Sequence, residues 1–322
     1  MSESVKQVAR AARDATARIR DIVRKTPIER SAGFSELTGA EVYFKLENLQ
    51  LTGSFKLRGA ANRLLTLSDA QRRRGCVAAS SGNHGAAVAC ALQKLGSTGI
   101  IFVPEKTSPA KIDAIRSFGG DVRFFGTDGL DTEQHARAYA ERHGMFYLSP
   151  YNDAAVIAGQ GTCGIEIAEQ VSGLDAVFIA VGGGGLISGV GSVLRTVNTD
   201  MQIIGCQPRA SAVMAKSIEA GCILDLPSEP TLSDGTAGGI EPEAITFELC
   251  RSLVNEFVLV SEAQIASAMR LYMDVHEQAV EGAAGVAIAA MLACKDRIQG
   301  QKALVIICGG NVSQATLDAA IA

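Results

Sequence analysis

The residue best suited to covalent chemistry in this sequence is Lys56, in the segment Leu51–Gly59 (LTGSFKLRG). It follows Gly, Ser and Phe and opens a helical pattern. A lysine at the start of a helix lies among backbone N–H groups at the positive end of the helix dipole, which lowers its pKa and favours the free amine. A free amine is the nucleophile that Schiff-base formation requires. The spacing alone is equally compatible with a surface lysine at a helix start.

A second cluster of polar side chains lies in Ala79–Gly85 (ASSGNHG), directly after an apolar run. Ser80 and Ser81 supply hydroxyl groups, Asn83 supplies an amide and His84 an imidazole. At a turn from strand to helix these groups join the N–H groups of the helix N-terminus, so the segment predicts a receptor for a carboxylate or a phosphate. The alternative is an ordinary helix start in which one of the two serines is the N-cap.

Four consecutive glycines occur in Val181–Leu186 (VGGGGL), again between an apolar run and a helical pattern. Glycines allow the backbone to approach a phosphate closely and to donate N–H groups to it. The segment lacks GxGxxG, a GK[ST] sequence and a downstream acidic residue for a ribose, so it predicts a site for one phosphate and not for a dinucleotide. A turn required only for packing remains the alternative.

The last apolar run ends in Ile306–Asn311 (IICGGN). The thiol of Cys308 and the amide of Asn311 stand at a glycine turn, where both could face a ligand. A buried cysteine is more often a small apolar filler, so this segment alone is a weak indication of a site.

Nine short apolar runs alternate with amphipathic helical patterns along the chain. This alternation predicts an α/β fold with two parallel-rich open sheets flanked by helices, because nine strands exceed what one compact sheet needs. The runs are Glu41–Glu47, Cys76–Ser81, Thr98–Pro104, Asp121–Gly126, Met145–Pro150, Ala176–Gly182, Met201–Pro208, Glu256–Ser261 and Ala303–Gly310.

We expect two domains, with a boundary at the polar segment Tyr151–Ala154 that follows Pro150. The larger domain would comprise residues 1–50 and 151–322. The smaller, inserted domain would comprise residues 51–150, with Lys56 near the interface between them.

Composition excludes several classes of protein. The chain has 322 residues, 47% of them hydrophobic, and a formal net charge of −4, so it has enough apolar side chains for a core and no basic excess for nucleic acid or anionic membranes. Eight scattered cysteines without a CxxC pair argue against zinc. The uncharged stretch Ala176–Leu194 is long enough to span a bilayer, but its four glycines indicate a strand, a loop and a helix. We expect a cytoplasmic protein.

Together these motifs resemble the fold-type II pyridoxal-phosphate (PLP) enzymes, and within them the serine/threonine dehydratases and serine racemases. Residues 206–250 are also similar to the branch of hydroxyectoine-utilisation and phenylserine dehydratases. The matching stretches are Lys45–Ala60, Ala79–Ala89, Ala155–Thr162, Val181–Gly189, Ser233–Gly239, Ala279–Gly285 and Cys308–Asn311, in the order found in that family.

The resemblance implies specific roles for residues of this chain. Lys56 would bind PLP as a Schiff base and act as the catalytic base, and Cys308 would lie near the pyridine nitrogen. Asn83 would donate a hydrogen bond to the phenolic oxygen of PLP. The cofactor-binding residues implied in this way are Phe55, Lys56, Asn83, Gly182, Gly183, Gly184, Gly185, Leu186, Gly235 and Cys308.

For the substrate, the resemblance implies a carboxylate site formed by Ser80, Ser81, Asn83 and His84. Tyr151 stands where relatives often have Asn, and it either shapes a pocket for a larger β-substituent or only packs at the rim. The implied reaction is elimination of water from a 3-hydroxy amino acid to give a 2-oxo acid and ammonia. L-Threonine, L-serine, 3-hydroxyaspartate and phenylserine all remain candidate substrates, and a homodimer is the implied assembly.

Other functions remain open from the sequence. Ser81 matches the second acid/base of the racemases, so Ser81 would be a second catalytic residue and racemisation an alternative activity. A non-catalytic PLP-binding module and a β-replacement enzyme are further alternatives. Racemases and some dehydratases hold a divalent cation with acidic residues where this chain has Gln207 and Val213, so we expect no metal site.

Overall fold

The computed structural model describes residues 1–321, and within that range the chain forms ten strands and fourteen α-helices. The strands are β1 Ile28–Arg30, β2 Glu41–Leu46, β3 Cys76–Ala79, β4 Gly99–Val103, β5 Asp121–Phe124, β6 Phe146–Tyr147, β7 Ala176–Ala180, β8 Gln202–Pro208, β9 Glu256–Val260 and β10 Lys302–Ile307.

The helices occupy most of the intervals between strands. They are α1 Glu3–Ile19, α2 Ala32–Thr38, α3 Lys56–Thr66, α4 Asp69–Arg74, α5 Asn83–Leu95, α6 Pro109–Arg116, α7 Gly129–His143, α8 Ala154–Gln170, α9 Gly185–Val197, α10 Val213–Ala220, α11 Ile245–Leu253, α12 Glu262–His276, α13 Gly282–Ala293 and α14 Gln314–Ile321. Strand and helix therefore alternate as the sequence predicts.

The larger sheet has six strands in the order β1-β2-β10-β7-β8-β9. All neighbours are parallel except β1, which pairs antiparallel with β2 at one edge. The sequence analysis did not predict β1. This strand has only three residues, none of them buried, so it lacks the apolar run that marks the other nine.

The smaller sheet has four parallel strands in the order β5-β4-β3-β6, all of them from residues 76–147. The α/β class with two parallel-rich sheets flanked by helices, predicted from the alternation, is thereby confirmed. The order of strands in either sheet is not the order in the sequence, so crossover connections were required, and these are supplied by the helices.

Each sheet has its own hydrophobic core. In the larger sheet the central strands β7 and β10 are buried along almost their whole length, as expected for parallel strands covered on both faces. Helix α13 packs against this sheet and has ten buried residues among its twelve. In the smaller sheet the apolar side chains of β3 and β4 pack against α5 and α3.

The uncharged segment Ala176–Leu194, which is long enough to span a bilayer, forms β7, the glycine turn and most of α9. No helix within residues 1–321 has both the length and the apolar character needed to cross a bilayer.

The carboxyl ends of three parallel strands lead directly into the predicted motifs. Strand β3 ends at Ala79, immediately before the Ser80–His84 segment, and β7 ends at Ala180, just before the glycine turn. Strand β10 ends at Ile307, next to Cys308. Ligand sites in open α/β sheets lie at this end of the strands, so the fold positions all three motifs where a site is expected.

Candidate active site

Lys56 is the first residue of α3, as the sequence predicts, and its side chain is half-buried. Its Nζ donates a hydrogen bond to the carbonyl oxygen of Pro150 at 3.0 Å. Burial lowers the pKa of the amine to about 8, while the nearby Glu281 and Cys308 oppose this by favouring the charged form. Burial, which the expected role of a catalytic base implied, is the main cause of the lowered pKa here, and not the helix terminus.

The loop from Ser80 to Gly82 connects β3 to α5, and neither serine is the N-cap that the sequence left open as an alternative. The N-cap of α5 is Gly82, and no side chain caps the helix. Ser80 Oγ instead accepts the backbone N–H of Gly82 at 3.2 Å. Ser81 is half-buried, and its hydroxyl makes no hydrogen bond within residues 1–321, so this group is available to a ligand.

His84 is 3% exposed and lies in the first turn of α5. Its Nε2 donates to the carbonyl oxygen of Leu148 at 3.0 Å, while the buried Nδ1 has no partner among the described residues. Burial, helped by the positive charge of Lys56, lowers the imidazole pKa to about 3. His84 is therefore neutral, and it presents Nδ1 as a hydrogen-bond acceptor.

The glycine turn Gly182–Gly185 can be formed only by residues without a side chain at several of its positions. Gly184 has φ +83°, and a Cβ there would lie 2.9 Å from Cys250 Sγ. At Gly182 a Cβ would lie 3.0 Å from the Cα of Thr236. Because α9 begins at Gly185, the positive end of a thirteen-residue helix meets this turn.

Tyr151 connects the glycine turn to a distant part of the chain. A Cβ built on Gly183 would lie 2.5 Å from the Tyr151 ring, so this ring lies directly against the turn. The Tyr151 hydroxyl accepts the backbone N–H of Glu241 at 2.8 Å. The residue predicted to shape the pocket or pack at its rim therefore contacts the glycine turn itself.

Cys308 lies beside the start of α3, because its carbonyl oxygen accepts the backbone N–H of Phe55 at 3.1 Å. Its thiol is buried and donates to Glu281 Oε1 at 3.5 Å. Burial raises the thiol pKa far above its ordinary value, and Glu281 adds to this effect. Cys308 is therefore a protonated, neutral thiol near Lys56.

Glu281 is a site residue to which the sequence analysis gave no role. Its Oε2 accepts a hydrogen bond from Asn83 Nδ2 at 2.7 Å, and Gly235 lies near its Oε1. Asn311 Nδ2 in turn donates to Asn83 Oδ1 at 2.7 Å. The sequence does contain a signal for this residue, because Glu281 is the single acidic residue in the apolar stretch AVEGAAG. A charged side chain is rarely buried in such a stretch unless it has a partner or a function.

Gln207 occupies the end of β8, where the sequence analysis expected no metal site. Its Nε2 donates to the carbonyl oxygen of Val181 at 3.0 Å, and its Oε1 accepts the N–H of Ala215 at 2.8 Å. The amide thus links the residue before the glycine turn to α10, which begins at the buried Val213. Within residues 1–321 no three His, Cys, Asp or Glu side chains form a group suited to a metal ion.

The assembled residues fit a PLP cofactor. Lys56 offers a primary amine that loses its proton at nearly neutral pH, and the glycine turn at the start of α9 offers N–H groups to an anion. The oxygens Thr52 Oγ1 and Ser54 Oγ, in the segment just before Lys56, are buried without a hydrogen-bond partner among the described residues. Buried polar atoms left without partners are expected where a polar ligand binds.

Comparisons with known proteins agree with this geometry. Residues 19–309 match the family model described as "Pyridoxal-phosphate dependent enzyme". An L-threonine ammonia-lyase of Thermotoga maritima is 39% identical over 306 residues, which cover 95% of this chain and 76% of the relative.

Two solved structures are similar over nearly the whole chain. The processed form of threonine deaminase isoform 2 from Solanum lycopersicum has a TM-score of 0.94 at 34% identity, with 98% of this chain and 92% of that chain covered. Maize serine racemase has a TM-score of 0.91 at 32% identity, with 97% and 96% covered. Since the family model spans far more than half of the sequence and agrees with the residues around Lys56, this chain belongs to the pyridoxal-phosphate dependent enzyme family.

Proposed function

We propose that this chain is a PLP-dependent ammonia-lyase that dehydrates a 3-hydroxy amino acid to a 2-oxo acid and ammonia. The observation that carries the proposal is the Lys56 amine, whose pKa is lowered to about 8 by burial. The same site contains the Ser81 hydroxyl, which has no hydrogen bond among the described residues, and the glycine turn, which can bind an anion. The similarity to an L-threonine ammonia-lyase and a threonine deaminase supports the same reaction.

The cofactor supplies an electron sink that stabilises negative charge at the substrate Cα when it is bound. Lys56 would bind the cofactor aldehyde through its Nζ. When released, the same amine takes the proton from the substrate Cα, a role for which a base near neutral pH is suited. The glycine turn Gly182–Gly185, with Leu186, would hold the cofactor phosphate, and Phe55 would pack beside the ring.

The substrate carboxylate would bind at the start of α5. The Ser81 hydroxyl can donate a hydrogen bond there, and the first N–H groups of the helix are directed to the same place. The Ser80 hydroxyl and the backbone N–H of Asn83, the first residue of α5, supply further donors. Because His84 is neutral, it neither attracts the carboxylate as a cation nor competes with Lys56 for the proton.

Cys308 would favour elimination over transamination. A residue near the pyridine nitrogen keeps that nitrogen protonated only if it carries negative charge, as an aspartate does. The Cys308 thiol stays neutral because burial raises its pKa. With a neutral thiol at this position, a bound cofactor would be a weaker electron sink, which would favour loss of the β-hydroxyl over transamination.

Tyr151 is the side chain that we propose limits the space for the substrate β-substituent. Its half-buried ring contacts the glycine turn, and its hydroxyl is held by the backbone of Glu241.

We also propose a division into a larger domain, residues 1–50 and 151–322, and a smaller domain, residues 51–150. The membership of the strands in two separate sheets supports this division. A cytoplasmic homodimer is part of the same proposal.

The direct test is a panel of 3-hydroxy amino acids assayed for 2-oxo acid and ammonia release. The panel contains L-threonine, L-serine, 3-hydroxyaspartate and phenylserine. We expect at least one to be turned over with equal yields of both products. Lys56→Ala should lower kcat by about three orders of magnitude or more, because the variant lacks both the covalent attachment and the base. It should also lose the visible absorbance that borohydride removes from the wild type.

Lys106→Ala, which removes an exposed lysine, is the matched control and should keep wild-type activity. Turnover by K56A at the wild-type rate would overturn the assignment. A purified protein that binds PLP without turning over any amino acid would favour the non-catalytic alternative.

Racemisation is the second candidate activity, and the free hydroxyl of Ser81 is the observation that favours it. This group could protonate the substrate Cα on the face opposite to Lys56, and the similarity to maize serine racemase is compatible with that role. Chiral analysis of the same reactions distinguishes the two. Accumulation of the D-isomer faster than the 2-oxo acid would make racemisation the main activity.

A further inference from the structure

Glu281 is a buried carboxyl group for which the proposed reaction has no direct use. It is 6% exposed and immediately precedes α13. An acidic residue at an N-cap commonly accepts N–H groups of its own helix, but the Glu281 side chain makes no such bond. Helix capping therefore does not explain the residue, and its carboxylate points to the cofactor site instead.

The two carboxylate oxygens contact two different site residues. Oε2 accepts from Asn83 Nδ2 at 2.7 Å, and Oε1 accepts from the Cys308 thiol at 3.5 Å. Asn83 comes from the start of α5, and Cys308 follows β10. One side chain thus connects the two groups that the resemblance places at the phenolic oxygen and at the ring nitrogen of the cofactor.

The surrounding backbone is adapted to this carboxylate. A Cβ built on Gly309 would lie 2.5 Å from Glu281 Oε2, so any other residue at position 309 would displace the carboxylate. Among residues 1–321 no Lys, Arg or His lies within ion-pair distance of it. A buried carboxyl without an ion-pair partner is unfavourable for folding, which makes a role in the site the better explanation.

Glu281 and Asn311 together fix the orientation of the Asn83 amide. The Asn83 Oδ1 accepts from Asn311 Nδ2, whose amide also donates to the carbonyl oxygen of Thr52 at 2.8 Å. One N–H of Asn83 Nδ2 donates to Glu281. An amide nitrogen has two N–H groups, so the orientation of Asn83 is determined and its second N–H remains free for a ligand.

We propose that Glu281 is a positioning residue of the cofactor site, which fixes the Asn83 amide and the Cys308 thiol together. The proposal rests on the PLP-dependent function proposed above. It adds that the carboxylate fixes the position of the neutral Cys308 thiol. The free N–H of Asn83 then becomes the donor that faces the cofactor.

The charge of Glu281 also depends on its surroundings. Burial raises its pKa to about 7, while Asn83, Cys308 and Lys56 lower it and Asp234 raises it. These residues come from α5, the end of β10, α3 and the turn Asp234–Thr236, and they include the charged and titratable groups that act on the carboxyl. Protonation near pH 7 would remove the acceptor from one of its two partners.

The test compares Glu281→Gln with wild type in the purified, PLP-loaded protein. We expect the PLP dissociation constant, measured by equilibrium dialysis of the apoenzyme, to rise about tenfold, which corresponds to one charge-assisted hydrogen bond. The visible spectrum of the wild type should change with a midpoint near pH 7, and that change should be absent in E281Q. Asn83→Ala should weaken PLP binding similarly, and the double variant should weaken it by less than the product of the two factors.

Glu262→Gln is the matched control. Glu262 is a partly buried carboxylate at the start of α12 that accepts the N–H of Leu232 at 2.7 Å, and its variant should bind PLP as the wild type does. Glu281→Asp is a second variant, which keeps the charge and shortens the side chain by one methylene. A wild-type dissociation constant and pH-dependent spectrum in either folded Glu281 variant overturns the positioning role. By contrast, wild-type protein that does not bind PLP at all overturns the proposed function.

Discussion

At the scale of single residues, the site combines groups whose protonation states differ from those in water. Burial lowers the pKa of Lys56 to about 8 and raises that of Glu281 to about 7. Both shifts disfavour the charged form, and the attraction between the two groups only partly reverses them. As a result, a base and an acid can both change protonation near neutral pH within one small volume.

We expect the rate of cofactor binding to depend on pH through the Lys56 amine. In the proposed function the free amine of Lys56 attacks the aldehyde of PLP. With a pKa of about 8, the free fraction of this amine rises with pH until about one unit above that value. The rate at which apoenzyme binds PLP should therefore increase about eightfold from pH 6.5 to 7.5 and become constant above about pH 9. Stopped-flow absorbance at the wavelength of the bound cofactor measures this rate.

Pyridoxine 5′-phosphate, which has no aldehyde, serves as the control ligand, and its binding should lack this increase. A PLP-binding rate that continues to rise up to pH 10.5 would show that the Lys56 amine has its ordinary pKa and would contradict the structure.

Helix α8 is the element against which the helices next to the site pack. It contacts α3, α9 and α1, and glycines of α8 form the closest approaches. A Cβ on Gly159 would lie 2.5 Å from the carbonyl oxygen of Arg58 in α3. A Cβ on Gly161 would lie 3.2 Å from that of Gly189 in α9. Backbone approaches this close allow Lys56 and the glycine turn to share one site.

A buried ionic network joins the same elements. Arg58, two residues after Lys56, donates to Glu47 and to Glu166 at distances of 2.7 to 2.8 Å. Lys45 donates to Glu166 at 2.6 Å. Because two cations and two anions are paired with good geometry, the network links α3, α8 and β2 without leaving an unpaired buried charge.

The prediction at this scale is the effect of Gly159→Ala. The new methyl group would meet backbone atoms of α3, which cannot move aside as a flexible side chain does. We expect the free energy of unfolding in urea to fall by about 1 to 3 kcal/mol, as for other overpacked interiors. We also expect weaker PLP binding, because α3 carries Lys56.

Gly129→Ala is the control, since Gly129 is exposed and a Cβ there meets nothing within 4 Å. This variant should be neutral or slightly more stable. Equal stability of G159A and wild type would show that α3 and α8 are not in contact at this point.

At the scale of the whole molecule, ion pairs connect the helices around the smaller sheet to the segment that follows α10. Lys111 in α6 lies 2.9 Å from Asp234, and Arg137 in α7 lies 2.9 Å from Glu241. The Glu241 carboxylate also accepts from Asn152 at 3.0 Å, next to Tyr151. These contacts join the helices that cover the smaller sheet to the segment between α10 and α11.

The prediction at this scale is a double-mutant cycle of Arg137→Ala and Glu241→Gln. The pair is partly exposed, so we expect a coupling free energy of about 0.5 to 1 kcal/mol that decreases at high salt. The substrate KM should rise in both single variants, because the Glu241 carboxylate that Arg137 holds also holds Asn152, the residue after Tyr151. Urea denaturation and initial rates measure the two effects.

The pair Arg251 and Glu248 lies within α11 and provides a control whose disruption should leave KM unchanged. Strictly additive effects of R137A and E241Q on stability, together with an unchanged KM, would contradict a linking role for the pair.

Local patterns in the sequence were enough to predict the class of fold and most of the candidate residues. Apolar runs and glycine turns are local patterns, so nine of the ten strands and the helix start at Lys56 could be predicted from neighbouring residues. Only β1, which has no buried residue, was missed. The motif order was sufficient for the family, now confirmed by the match over residues 19–309.

Which groups meet, and in which protonation state, depends on the packing of segments that lie far apart in the sequence. The contacts of Glu281 with Asn83 and Cys308 join residues separated by 198 and 27 positions, and no local pattern specifies such distances. The sequence left a serine N-cap of α5 open as an alternative, and the structure excludes it because Gly82 takes that position. Burial, which determines the pKa values of Lys56 and His84, is a property of the packed sheets and helices together, and for this reason it could not be derived from the sequence.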